Sequence, residues 1–169
     1  MKKIKSLIMM IMIAATTGAM AQESATASSS ATIVAPIGIA QSADMNFGNV
    51  ATNATGGTVV LTTGGATTKT GGVTLPAQTG TPTAAAFDVT GEGAYTYSIG
   101  LPGGPITLTE SVSSNTMTVG TFISNPATTG TLTGGAQTVN VGATLTVAGG
   151  QVPGAYTNTS DLTVTVNYN

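Results

Sequence analysis

Apolar and hydroxylic residues alternate through most of this chain with a period of two, and paired glycines interrupt the runs. Val139, Val141, Ala143, Leu145 and Val147 alternate with Asn140, Gly142, Thr144 and Thr146. The last residues repeat the pattern, with Leu162, Val164, Val166 and Tyr168 set against Thr163, Thr165 and Asn167. Tyr95, Tyr97, Ile99 and Leu101 do the same against Thr96, Ser98 and Gly100. Successive side chains of an extended chain point to opposite faces, so each run predicts a strand with one buried and one wet face. Tyr95 and Tyr97 then share an apolar face and belong to the core. Shorter candidate strands lie at 58–62, 83–90, 106–110 and 117–124, and helical spacing occurs only near the N-terminus. Glycine pairs at 56–57, 64–65, 71–72, 103–104, 134–135 and 149–150 mark hairpin turns or bulges, because Gly reaches positive φ without steric cost. Many short strands with glycine turns and no intervening helices predict an all-β fold, an antiparallel β-sandwich of Greek-key, immunoglobulin-like type. A transmembrane barrel would want aromatic girdles and apolar outward residues, whereas this chain has three Phe, four Tyr and no Trp, and its outward positions are mostly Thr.

The N-terminus reads as an export signal. Met1, Lys2, Lys3, Ile4 and Lys5 form a basic start, Leu7 to Ala15 an apolar run, and Ala19-Met20-Ala21 a small-residue cleavage site before Gln22. Residues 1–21 are therefore expected to be a signal peptide; the apolar run is short of the roughly 20 residues that span a bilayer. A Ser/Ala-rich leader at 22–30 and a single domain at 31–169 follow, with 31–40 as its first strand or as a donor arm. The expected location is extracellular or at a bacterial cell surface, reached through the periplasm, with no transmembrane segment after cleavage.

Removing that segment leaves Lys69 as the only basic side chain against six acidic residues. Nothing then neutralises phosphates, so nucleic-acid binding is excluded. The absence of Cys removes disulfides and thiolate metal sites, and the absence of His removes the usual general base and transition-metal ligand. Lys69 lies among turn-forming residues, Thr67-Thr68-Lys69-Thr70-Gly71, and reads as a solubilising lysine; a catalytic amine would need burial to lower its pKa. Paired carboxylates are the one remaining catalytic arrangement, and Asp88 and Glu92 are the acids closest in sequence. A solvated turn accounts for them, since stacking aromatics for a sugar site are missing. Asp44, Glu110 and Asp161 stand alone, and no D-x-D-x-D-G pattern points to calcium. The expectation is a chain without catalytic residues, cofactor or metal.

Several ordered segments carry a resemblance. They are Asp44-Met45-Asn46-Phe47-Gly48, Ala86-Phe87-Asp88-Val89-Thr90-Gly91, Tyr97-Ser98-Ile99-Gly100-Leu101-Pro102, Met117-Thr118-Val119, Val141 to Val147, Gly154-Ala155-Tyr156, and the ending Val164 to Asn169. In that order and spacing the chain resembles the domain of unknown function 4402 family of secreted bacterial β proteins, which looks fimbria-like. The ending also resembles that of chaperone-usher fimbrial subunits, with penultimate Tyr168 and an upstream Gly154. That likeness implies an N-terminal arm, residues 22–40, with Ile33, Ala35, Ile37 and Ile39 on one face, able to complete a neighbour by strand addition. Pro36, which lacks an N–H, and the missing fimbrial disulfide depart from that pattern.

Together these readings make Ile33, Ala35, Ile37, Ile39, Leu162, Val164, Val166 and Tyr168 the candidate assembly residues. The expected function is a structural subunit of a fimbria-like or other cell-surface assembly. Its partners would be copies of itself or related subunits, with a periplasmic chaperone during export. The alternatives are a monomeric surface or matrix protein that binds a glycan or protein partner, and a hydrolase using Asp88 and Glu92.

Overall fold

A computed structural model describes residues 22–76 and 80–169, so the expected signal peptide lies outside the described residues. The chain divides into two units, Met1–Ile33 and Val34–Asn169. Residues 22–33 of the first hold neither strand nor helix.

The second unit is all-β and antiparallel, with eleven strands among the described residues: β1 Gly38–Ala43, β2 Ala51–Leu61, β3 Thr67–Thr74, β4 Ala85–Thr90, β5 Thr96–Gly100, β6 Ile106–Glu110, β7 Thr116–Asn125, β8 Thr129–Thr131, β9 Ala136–Val147, β10 Tyr156–Thr157 and β11 Thr165–Tyr168. The spine is β9, whose clean alternation sends Val139, Val141, Ala143, Leu145 and Val147 to one face. Along one of its edges lies β7, followed by β6 and β10. Along the other, β4 and β2 sit end to end, β4 on Ala136 to Val141 and β2 on Ala143 to Val147. The junction falls at Gly142, where a Cβ would come within 2.9 Å of the Thr62 carbonyl carbon and the Thr63 nitrogen. Only a residue without a side chain lets the end of β2 pass this close over the spine. Outermost on this side, β3 pairs with β2 and β1 with β4. A second sheet of three strands, ordered β11-β5-β8, makes the fold β-sandwich-like.

The spine feeds two clusters of buried side chains. Val139 and Val141 join Ala85, Phe87, Val89, Tyr97, Leu132 and Val164 between the two sheets. Ala143, Leu145 and Val147 join Phe47, Val59, Leu61, Val73 and Val119 within the curl of the large sheet. Phe122 and Met45 pack against both. Full burial of a Val or Leu side chain is worth about 1.5–3 kcal/mol, so these layers carry the stability of a chain without disulfides.

The glycine pairs divide into the two expected kinds. Gly64–Gly65 turns β2 into β3 and Gly134–Gly135 turns β8 into β9. Gly56–Gly57 and Gly71–Gly72 lie inside strands, where the β2–β3 register shifts between Thr52 and Gly57. Two placements differ from the sequence reading. Lys69 belongs to β3, not to a turn; it pairs with Val59, and its Nζ donates to the Val73 carbonyl at 3.0 Å. Tyr97 is fully buried, its hydroxyl 2.8 Å from Gln137 Oε1, but Tyr95 is 43% exposed and precedes β5. Ala94, at φ 65°, turns the backbone just before Tyr95, so Tyr95 stands at the rim of the cluster against Tyr168, ahead of the strand that starts at Thr96.

Candidate functional site

Among the described residues the terminal strands are each paired on one side only, β1 with β4 in the large sheet and β11 with β5 in the small one, and they approach one another across the sandwich. In β11 the backbone is registered Thr165 on Gly100, Asn167 on Ser98 and Tyr168 on Tyr97, and the Asn169 N–H donates to the Thr96 carbonyl. Antiparallel hydrogen bonding alternates along a strand, so Thr165, Asn167 and Asn169 direct their main-chain groups toward β5. Val166 and Tyr168 direct theirs to the other edge, which has no strand partner among the described residues. The side chains of Leu162, Val164, Val166 and Tyr168 all pack into the inter-sheet cluster, although only residues 165–168 form strand.

The N-terminal candidates are distributed differently. Ile33 lies in the first unit and is exposed, and Ala35 is exposed ahead of the strand. Ile37 packs into the inter-sheet cluster, while Ile39, opposite Val89, is 37% exposed. Of these four residues only Ile37 packs into the core of its own chain. Pro36 has no N–H to give a ladder, and pairing starts at Gly38, beyond it. The strand that follows pairs with β4 of its own chain, with a bulge between Gln41 and Ala43.

What holds the residues ahead of β1 is a ring of hydrogen bonds. The Glu92 N–H donates to the Tyr168 hydroxyl at 2.6 Å, that hydroxyl donates to the Ala35 carbonyl at 3.0 Å, and the Ala35 N–H donates to Glu92 Oε2 at 3.1 Å. Both main-chain groups of Ala35 are therefore satisfied without a strand partner. The Tyr168 ring meets Tyr95 at a centroid distance of 5.6 Å and an interplanar angle of 58°. Gly91 makes room for the ring, since a Cβ there would run into the Tyr168 hydroxyl and come within 3.0 Å of Leu132 Cδ1. The sequence reading singled out Tyr168 but not Glu92 or Gly91 as its partners. Nothing local signals a contact with Ala35 fifty-seven residues away.

The ring also bears on the hydrolase alternative. Glu92 serves Ala35, whereas Asp88 on β4 accepts from the Thr138 hydroxyl at 2.8 Å, so each carboxylate is engaged with a structural partner of its own. Asp44 accepts from Gln41 Nε2, and Asp161 from Asn158 Nδ2 at 2.6 Å. Gly154 lies away from β11, in the turn before β10. Among the described residues no three acidic, His or Cys side chains gather into a metal-binding group. Glu110, at the end of β6, is largely covered. Its carboxyl is held below the usual glutamate range, first by the Ser113 hydroxyl at 2.6 Å, then by the Ser113 and Val112 N–H groups. That carboxylate closes the loop between β6 and β7.

The family model for a domain of unknown function, DUF4402, matches residues 37–168. The chain belongs to the DUF4402 family. The match runs from Ile37, the first core-packed residue ahead of β1, to Tyr168 of the ring, and leaves residues 22–36 outside it. No curated protein and no solved structure matches the chain. No helix among the described residues is long and apolar enough to cross a membrane.

Proposed function

We propose that this DUF4402 chain is an exported structural subunit of a fimbria-like cell-surface assembly, without enzymatic activity, that polymerises by β-strand addition. The observation that carries the reading is the outer edge of β11, which has no strand partner among the described residues and to which Val166 and Tyr168 direct their main-chain groups, beside an equally one-sided β1. An unpaired edge is a template for an added strand, and main-chain hydrogen bonds supply the affinity in such additions.

Because β1 pairs within its own chain and the ring holds both main-chain groups of Ala35, the donated segment narrows from residues 22–40 to residues 22–34. There Ala25, Ala27, Ala31 and Ile33 fall on one phase of an extended chain, interrupted by Ser29. Arm-to-edge contacts between successive copies are heterologous and do not close, so they build a filament. A periplasmic chaperone would cover the same edge before assembly.

Electron microscopy and size-exclusion chromatography of the purified protein test this. The full chain is expected to form filaments or a ladder of oligomers, and deletion of residues 22–33 is expected to leave a folded monomer that forms none. Filaments that persist after the deletion, or a full chain that stays monomeric at high concentration, would refute it.

A further inference from the structure

The outward face of the large sheet bears a rank of threonines that the assembly reading does not use. Thr107 on β6 is registered opposite Thr118 on β7, Thr118 opposite Thr146 on β9, Thr146 opposite Thr58 on β2, and Thr58 opposite Thr70 on β3. Directly opposed residues share a face, so one hydroxyl from each of five adjacent strands stands in a single line. Four inter-strand spacings of about 4.8 Å make that line about 19 Å long. Flanking residues on the same face extend it: Thr109 opposite Thr116 on one side, Thr144 and Thr68 on the other. The Thr58 and Thr70 hydroxyls are 2.7 Å apart. Lys69, between Thr68 and Thr70, belongs to the opposite face with Val59, so no charge interrupts the line.

Midway along it the surface is concave. Thr118, Thr144 and Thr146 line a groove of about 450 Å³ together with Thr121, Phe122 and the loop from Pro102 to Pro105. That volume falls in the range of small-molecule sites. Thr121 holds φ at 50°, a costly conformation for a β-branched residue, at the register break between Gly120 and Ile123. Such strain persists only where the surroundings enforce it, and the bulge brings half-buried Phe122 to the groove.

We propose that this face is a binding site for a neutral polysaccharide, whose chain lies along the threonine rank with one unit seated in the groove. The chemistry selects the class. A lining without charge offers no counter-ion to a phosphate, a carboxylate or an amine, which excludes acidic and basic polymers as preferred ligands. Each threonine hydroxyl both donates and accepts, which matches ligand hydroxyls that do the same, and the regular spacing suits a polymer of repeating units. An extended peptide is not the occupant, because a sheet face presents side chains and keeps its main-chain groups in the ladder. This site is independent of the terminal strands and of polymerisation.

The test is affinity electrophoresis of the purified protein in gels containing a neutral glucan, a neutral mannan or, as acidic control, alginate, followed by calorimetry with the matching hexasaccharide. Retardation by at least one neutral polymer and none by alginate is expected. Thr118→Val with Thr146→Val preserves shape and removes two hydroxyls, and should weaken binding at least tenfold with an unchanged melting temperature; the paired Thr→Ser variant should retain it. Binding only to alginate, no retardation by either neutral polymer, or full binding by the valine variant would overturn the proposal. A valine variant that melts early is set aside in favour of Thr118→Ala alone, read by the same calorimetry, where unchanged affinity also overturns it.

Discussion

The two ends of this domain have similar sequence patterns and opposite physical situations. At the C-terminus, Leu162, Val164, Val166 and Tyr168 all reach the inter-sheet cluster, with Val164 8% exposed. At the N-terminus, only Ile37 of four alternating candidates does so, and β1 is exposed along most of its length. One strand is held by its side chains; the other is held by one ladder and by the ring at Ala35. Alternation shows that a segment can bury a face, but whether it does depends on a second sheet lying opposite. In this fold β11 has the large sheet beneath it, whereas Pro36 and the sheet margin leave β1 at the rim. A strand anchored chiefly by main-chain bonds exchanges more readily than one anchored by burial.

The comparison breaks if the ends respond equally to truncation. Val164→Ala is expected to cost about 2–3 kcal/mol, from the lost apolar burial and the residual cavity. Ile39→Ala should cost under about 1 kcal/mol, because much of that side chain is already in water. Urea denaturation of both variants measures the difference, and equal costs would show that β1 is held as β11 is. Next in size is Gly91→Ala, expected to destabilise by about 1–3 kcal/mol because the new Cβ displaces the Tyr168 ring. Its loss should appear in hydrogen exchange first at β1.

Much of this fold was readable from the chain. The runs that became β4, β6, β7 and β9 are evident because each has a buried face recurring every second residue. β3, β8 and β10 are not evident: β3 contributes little but Val73 to the core, and β8 is three residues long. Tyr95 is exposed at the rim because the chain turns at Ala94 immediately before it, and a lone alanine carries no sign of that positive φ. For the terminal site, Tyr168 stands out by its position, but the ring joins residues 35, 92 and 168 through main-chain groups, which carry no residue-specific signal. The threonine rank was visible only as solubilising outward residues, since its alignment depends on strand register across five strands.

Tyr168→Phe sharpens the comparison with less perturbation, because it keeps the ring and removes only the hydroxyl. It deletes the bond to the Ala35 carbonyl and leaves the Glu92 N–H without its acceptor, an expected cost of about 1–2 kcal/mol at typical hydrogen-bond strengths. The β11 packing should survive, so hydrogen exchange should accelerate at residues 38–43 and not at 165–168. Acceleration at both ends alike would mean that the hydroxyl supports the whole margin and not β1 in particular.

The smallest effect is expected from acid, and it lies away from both ends. Glu110 is held below its usual pKa by donors from Ser113 and Val112, so its charged form is favoured more in the folded than in the unfolded chain. Its contribution is therefore fully present above the ordinary glutamate range and disappears as pH falls through the lowered folded value. Melting temperatures followed from neutral to acid pH should drop more steeply in this window for the wild type than for Glu110→Gln, which binds no proton there. The gap between the two proteins should close at the acid end. If the Val164→Ala and Ile39→Ala costs keep their ratio across the same titration, the contrast between the terminal strands rests on apolar burial and not on the carboxylates beside β1, Asp88 opposite Ala40 and Glu92 at Ala35.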